Sequence, residues 1–199
     1  MMLEFRDIIG VDEVGRGPLF GEVVACAVYI KDNNLEIFNE INDSKKLNEF
    51  KREKIYKELI NSPNIVYAVG IANEKEIDEL NILNATFLAM RRALKKIEEL
   101  GIKDKLVLVD GNKLIKEYRG KQEFLIKGDS KNLSIATASI IAKVIRDNMM
   151  LEYDKVYPKY CLKNHKGYPT KKHYEAIEKY GILDKHRKSF LKKILNKKV

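Results

Sequence analysis

Ile9-Gly10-Val11-Asp12-Glu13-Val14-Gly15-Arg16-Gly17-Pro18 says more about the architecture than any other segment of the chain. An apolar run that predicts a strand carries two adjacent carboxylates at its end, and a glycine-flanked arginine follows at once. Carboxylates at a strand end can hold a hard divalent cation. A Gly-Arg-Gly turn lets bare backbone approach a ligand, and its guanidinium can meet a phosphate. Neighbours on a regular strand face opposite sides, so Asp12 and Glu13 reach one site only if the strand ends or bends there. Gly15 and Gly17 predict such a bend.

Outward from this segment, Val23–Ile30 is a near-continuous apolar run, the pattern of a central strand covered on both faces. The short connection predicts a hairpin between the two strands. Further strands are predicted at 65–71, 106–109 and 124–126. Helices are predicted at 50–59, at 83–100 with Phe87, Met90, Leu94 and Ile97 at helical spacing, at 132–151, at 171–180 and at 186–195. Gly101 stops the second of these, and Ser130 and Asn132 are candidate N-caps for the third. The order gives an α/β layered fold with a mixed sheet of about five strands flanked by helices.

The 199 residues suit one compact unit. A hydrophobic share of 45% is enough for a full core, and 38 basic against 29 acidic residues give a net charge of +9. That balance suits a polyanionic partner, although a lysine-rich proteome would produce it as well. Cys26 and Cys161 form no disulfide framework and no zinc spacing, which predicts free thiols. The charged start lacks a signal-peptide core and no window reaches membrane-spanning length, so a soluble cytoplasmic protein is expected.

Three predicted strands end in acids: Asp12 with Glu13, Asp110, and Asp129. Strand ends of α/β sheets are where ligands gather, and four converging carboxylates would repel one another unless a cation joined them. Oxygen ligands select Mg2+ or Mn2+ over zinc. Two such ions can together split a phosphodiester. Singly, Asp110-Gly111-Asn112 and Gly128-Asp129-Ser130 also read as plain turns. Lys45 and Lys46, in Asp43-Ser44-Lys45-Lys46-Leu47, could reach phosphates or form a solvated pair. His165-Lys166-Gly167-Tyr168-Pro169-Thr170 sets an aromatic among basic residues, as stacking on nucleotides requires; a surface loop with a packing tyrosine is the plainer reading.

Together these segments, with Glu76-Ile77-Asp78-Glu79-Leu80-Asn81-Ile82-Leu83, Ala138-Ser139-Ile140-Ile141-Ala142-Lys143-Val144 with Arg146-Asp147, and His186-Arg187-Lys188-Ser189-Phe190, resemble the type 2 ribonuclease H (ribonuclease HII) family, in its order and from residue 10 to 190. The resemblance implies an RNase H-like fold with a helical C-terminal extension. Residues 1–150 would be the catalytic core, and residues 151–199 a basic loop and helices completing the substrate groove in one unit. It implies an endonuclease, acting as a monomer, that cuts the RNA strand of RNA–DNA hybrids and cuts 5′ of ribonucleotides embedded in duplex DNA, leaving 3′-hydroxyl and 5′-phosphate ends. The family's metal-binding catalytic acids fall on Asp12, Glu13, Asp110 and Asp129, which would hold two ions, Mn2+ or Mg2+. Gly15, Arg16 and Gly17 fall where the family reads the ribose 2′-hydroxyl, Tyr168 falls beside the same nucleotide, and Lys45 and Lys46 fall near phosphates. The related type 3 enzymes carry an N-terminal extension and typically a glutamate as the fourth acid, so Asp129 favours type 2.

Two departures stand out. Glu22 sits where the family usually has proline or alanine, and is expected to be exposed at the start of the second strand. Thr137 replaces an alanine and can bond back along its helix. A sliding-clamp contact at Ser189-Phe190-Leu191 competes with the simpler reading of a packed terminal helix. Rival functions are a non-catalytic RNA–DNA hybrid-binding module, and a metal-dependent nuclease for another substrate on the same fold.

Overall fold

A computed structural model describes residues 3–41 and 48–192. Five strands form one sheet in the order β3-β2-β1-β4-β5. These are β1 (Ile8–Val14), β2 (Val23–Ile30), β3 (Ile65–Ala72), β4 (Leu106–Asp110) and β5 (Gln122–Leu125). β1 and β2 pair antiparallel, as the short connection predicts, and β4 and β5 run parallel to β1. The sheet is therefore mixed, with β1 at its centre.

Every residue of β2 except Tyr29 is buried because helices cover both faces. On one face α4 (Ile82–Glu99) lays Phe87, Met90, Leu94 and Ile97 against Val11, Ala25 and Val109. On the other, α5 (Leu133–Val156) packs Ala138, Ile141 and Ala142 against Val24, Cys26 and Val28, with α1 (Ile37–Ile41) and α2 (Glu49–Asn61) alongside. Asn132, rather than Ser130, caps α5, its side chain accepting from Ser134 and Ile135 N–H. Thr137 donates to the Leu133 carbonyl at 2.9 Å. Gly10 is where β1 passes under α5: a Cβ there would lie 2.4 Å from the Ser134 backbone.

Beyond α5 the chain forms α6 (Leu162–His165) and α7 (Lys171–Tyr180), which join Leu19, Phe20 and Met150 in a further apolar cluster. The predicted 186–195 helix is not formed over residues 186–191. His186 bridges to Phe20, and a single 3-10 turn covers Lys188–Phe190. The reason is long-range: Asp78 on α3 (Glu74–Leu80) accepts from the Lys188 and Ser189 amides, and the Arg187 side chain is buried in another bonding network. Among the described residues no helix is long and apolar enough to cross a membrane.

Candidate active site

Asp12 and Glu13 stand on β1, Asp110 ends β4 beside it, and Asp129 lies in the 3-10 turn that follows β5. The expected end or bend of the strand at the acid pair is not there. Regular pairing with β2 runs on to Val14, with Asp12 opposite Cys26 and Glu13 opposite Ala25. The two acids therefore take opposite faces. Asp12 faces α5, where the Ser139 hydroxyl donates to it. Glu13 faces α4 and lines a cavity of about 200 Å³ with Arg16, Thr86, Phe87, Asp110 and Asn112.

Three of the acids also have a local donor. The Glu13 amide donates to Asp12 Oδ1 at 2.7 Å, and the Gly128 amide donates to Asp110 Oδ1 at 2.6 Å. Arg16 Nη1 lies 3.4 Å from Glu13 Oε1, so its guanidinium is paired with an acid. Among the described residues no three His, Cys, Asp or Glu side chains stand as a ready-made metal cluster. The opposed faces and these donors account for that.

The acids nevertheless act on one another. Burial, then the Glu13 and Asp110 charges, push the Asp12 carboxyl well above the usual carboxylate range. Burial raises Glu13, with Arg16 opposing and Asp110 adding to the rise. Burial raises Asp110 too, opposed by the Gly128 amide and reinforced by Asp129. Buried, mutually repelling carboxylates with only oxygen donors gain from a hard divalent cation, and the donor set fits one.

Beside the acids, Gly15 takes a φ of 96° and lies against the side chain of Arg146. Arg16 and Gly17 are exposed, and a Cβ on Gly17 would lie 3.4 Å from Tyr168 Cε1. The Gly-Arg-Gly turn and Tyr168, far apart in the chain, thus face each other, with Tyr168 still 38% exposed. Lys45 and Lys46 lie outside the described residues.

Glu22 corrects its expectation. It is buried, accepts from Tyr153 Oη at 2.6 Å and from Lys185 Nζ at 3.3 Å, and leaves Oε2 without a partner. Tyr153 and Lys185, from far down the chain, supply the partners that water would otherwise give it. Sequence reading also missed the buried Arg146 and Arg187, which hold the turn from behind, and the Ser139 hydroxyl on Asp12. The arginines carried a signal, each lying in a segment that resembled the family.

A family model described as ribonuclease HII matches residues 9–194. A ribonuclease HII of Fusobacterium nucleatum is 57% identical over 195 residues, covering 97% of this chain and 89% of its own. Ribonuclease H2 of Pyrococcus horikoshii, a solved structure, is 27% identical with a TM-score of 0.67 over 92% of both chains. The ribonuclease HII solved with PCNA from Archaeoglobus fulgidus has a TM-score of 0.73 at 22% identity over 92% of both chains, a likeness of fold.

Proposed function

This chain belongs to the ribonuclease HII family, and on that footing we propose that it hydrolyses the RNA strand of RNA–DNA hybrids and cuts duplex DNA on the 5′ side of an embedded ribonucleotide, leaving 3′-hydroxyl and 5′-phosphate ends. The observation that carries this reading is the placement of Asp12 and Glu13 on β1 beside Asp110 at the end of the paired strand β4, next to a turn and a tyrosine that face each other.

Asp12, Glu13, Asp110 and Asp129 would hold two divalent ions, Mg2+ or Mn2+; Asp12 and Glu13 leave β1 on opposite faces, and Asp110, whose charge acts on both, would join them. Such ions, when bound, activate water and steady the leaving oxygen of a phosphodiester. The remaining work falls to the chain. Asp12, fixed by the Ser139 hydroxyl and the Glu13 amide, serves as the anchor between the strands. Asp110, with one oxygen tied to the Gly128 amide, keeps the β5 turn and Asp129 beside it. The exposed Arg16–Gly17 backbone and Tyr168 meet the ribose, whose 2′-hydroxyl separates RNA from DNA. Lys45, Lys46 and the net charge of +9 hold the phosphates, so binding should weaken as salt rises. Residues 151–199 complete the groove that takes the duplex, and the enzyme works as a monomer in the cytoplasm. A clamp contact at Ser189-Phe190-Leu191 has little room, because Leu191 is buried and Ser189 is taken up by Asp78.

The test is Asp110→Asn. It should cut kcat on an RNA–DNA hybrid by more than about 100-fold with Mg2+ or Mn2+, since several kcal/mol of transition-state stabilisation depend on the ligated charge. Hybrid affinity should be held. Undiminished cleavage by this variant would end the proposal.

A further inference from the structure

Behind the Gly-Arg-Gly turn a single buried side chain collects five carbonyls of the loop. Arg187 donates to Gly15 O at 2.6 Å, Pro18 O at 2.7 Å, Gly21 O at 2.8 Å, Arg16 O at 3.1 Å and Glu22 O at 3.1 Å. These bonds use all five N–H groups of a guanidinium. Arg146 adds bonds to the Phe20, Glu22 and Lys166 carbonyls. In a trans peptide the C=O and the following N–H point in opposite directions. Turning the Gly15 and Arg16 carbonyls inward therefore turns the Arg16 and Gly17 amides outward, to the side of the loop away from Arg187.

The adjacent residue holds the opposite wall. His186 Nδ1 accepts from the Leu183 amide at 2.8 Å, which leaves Nε2 as its donor. That atom lies 3.1 Å from His173 Nε2, and His173 Nδ1 lies 3.0 Å from the Tyr168 carbonyl. One arrangement of protons satisfies the whole chain: His186 donates to His173, and His173 donates to the Tyr168 carbonyl. His165 stacks on His173 with ring centroids 4.4 Å apart, its own nitrogens taken by Tyr160 O and Gly167 N–H. All three rings are buried.

We propose that His186 and Arg187 are a positioning pair that registers the Gly15–Gly17 backbone against Tyr168, and so sets how strictly a ribose is distinguished from a deoxyribose. The proposal rests on the reading that these two elements meet the 2′-hydroxyl. Neither residue touches substrate. Arg187 acts through the loop carbonyls, and His186 acts through His173. Lysine cannot replace Arg187, because its three donors sit on one nitrogen and cannot span the loop.

The test measures KM for a duplex carrying one ribonucleotide and Ki for the all-DNA duplex as competitor, with Mn2+ present. The ratio Ki/KM reports recognition of the ribose. A merely structural role would lower kcat through loss of active molecules and leave this ratio unchanged. Arg187→Lys should lower the ratio by about fivefold or more. His173→Ala should lower it as well, while His173→Asn, which keeps a donor for the Tyr168 carbonyl, should restore much of it. An unchanged ratio in Arg187→Lys overturns the proposal. Should that variant lose its fold by circular dichroism, equal ratios in His173→Ala and wild type overturn it instead. Wild-type protein that fails to cut the ribonucleotide duplex would refute the functional reading itself, a separate outcome.

Discussion

Acidification should strike this protein through its histidines. Burial pushes His173 and His186 from the ordinary imidazole value of 6.5 down to about 4, and a histidine charge adds to each, His165 on His173 and His173 on His186. In the unfolded chain both rings take a proton near 6.5; in the folded chain they resist until about 4. Below pH 6.5 the unfolded state therefore binds more protons, so stability is full above about pH 7 and lost as the pH falls toward 4. At pH 5 one such ring costs about 2 kcal/mol relative to pH 7.5. The two rings share one hydrogen bond and titrate as a pair, so the joint loss is about 3–4 kcal/mol, a large part of an ordinary folding free energy. Urea unfolding at pH 7.5 and pH 5.0 measures it. His173→Asn leaves one titrating ring of the pair and should lose about 2 kcal/mol less over the same interval. Glu76, held low by its bond to Arg92, and Asp7, held low by its bond to Lys105, also shed stability in acid, but equally in both proteins. Equal losses in wild type and variant would refute the assignment of the rings as a neutral buried pair.

Other outcomes separate fold from function at the same turn. Gly15→Ala would put a Cβ 2.2 Å from Arg146 Nε at a φ of 96°, and should cost about 2–4 kcal/mol of stability in urea unfolding. Gly17→Ala meets only ordinary contact with Tyr168, and should leave stability within about 1 kcal/mol while lowering cleavage at a ribonucleotide. Glu22→Ala removes the acceptor of Tyr153 and one acid from Lys185, and should destabilise by about 1–3 kcal/mol; a neutral result would mean that this buried carboxylate contributes nothing net.

The strands and the main helices were legible because their signals are local. β2 is apolar throughout since both its faces are covered, and α4 shows its buried stripe at every helical turn. α3 escaped notice because only Ile77 of its residues is both apolar and buried; the signal that marks it is the capping box between Asn73 and Glu76. The C-terminal segment reads as an amphipathic helix, but distant partners outweigh that pattern. Arg187 is spent on the loop before β2, and Asp78 takes the next two amides.

At the site, the placement of the acids on β1, at the end of β4 and in the turn after β5 was legible and their side-chain geometry was not. Whether β1 bends at Asp12 depends on its pairing with β2, which continues to Val14. Nothing near Glu22 in the sequence foretells its burial, since Tyr153 and Lys185 come from far down the chain. The histidines likewise look scattered until α6, α7 and the Phe20 bridge gather them.

If folding gathers these acids beside a turn that reads ribose, a backbone phosphate is cut next to a ribonucleotide. The most direct measurement is incubation of an end-labelled DNA duplex bearing one ribonucleotide, with Mg2+ or Mn2+ and with EDTA, followed by mapping of the cut and its ends. A single cut on the 5′ side of the ribonucleotide, leaving a 3′-hydroxyl and abolished by EDTA, is the predicted result. An intact duplex, a cut that persists in EDTA, or cutting of the all-DNA control at the same rate would contradict it.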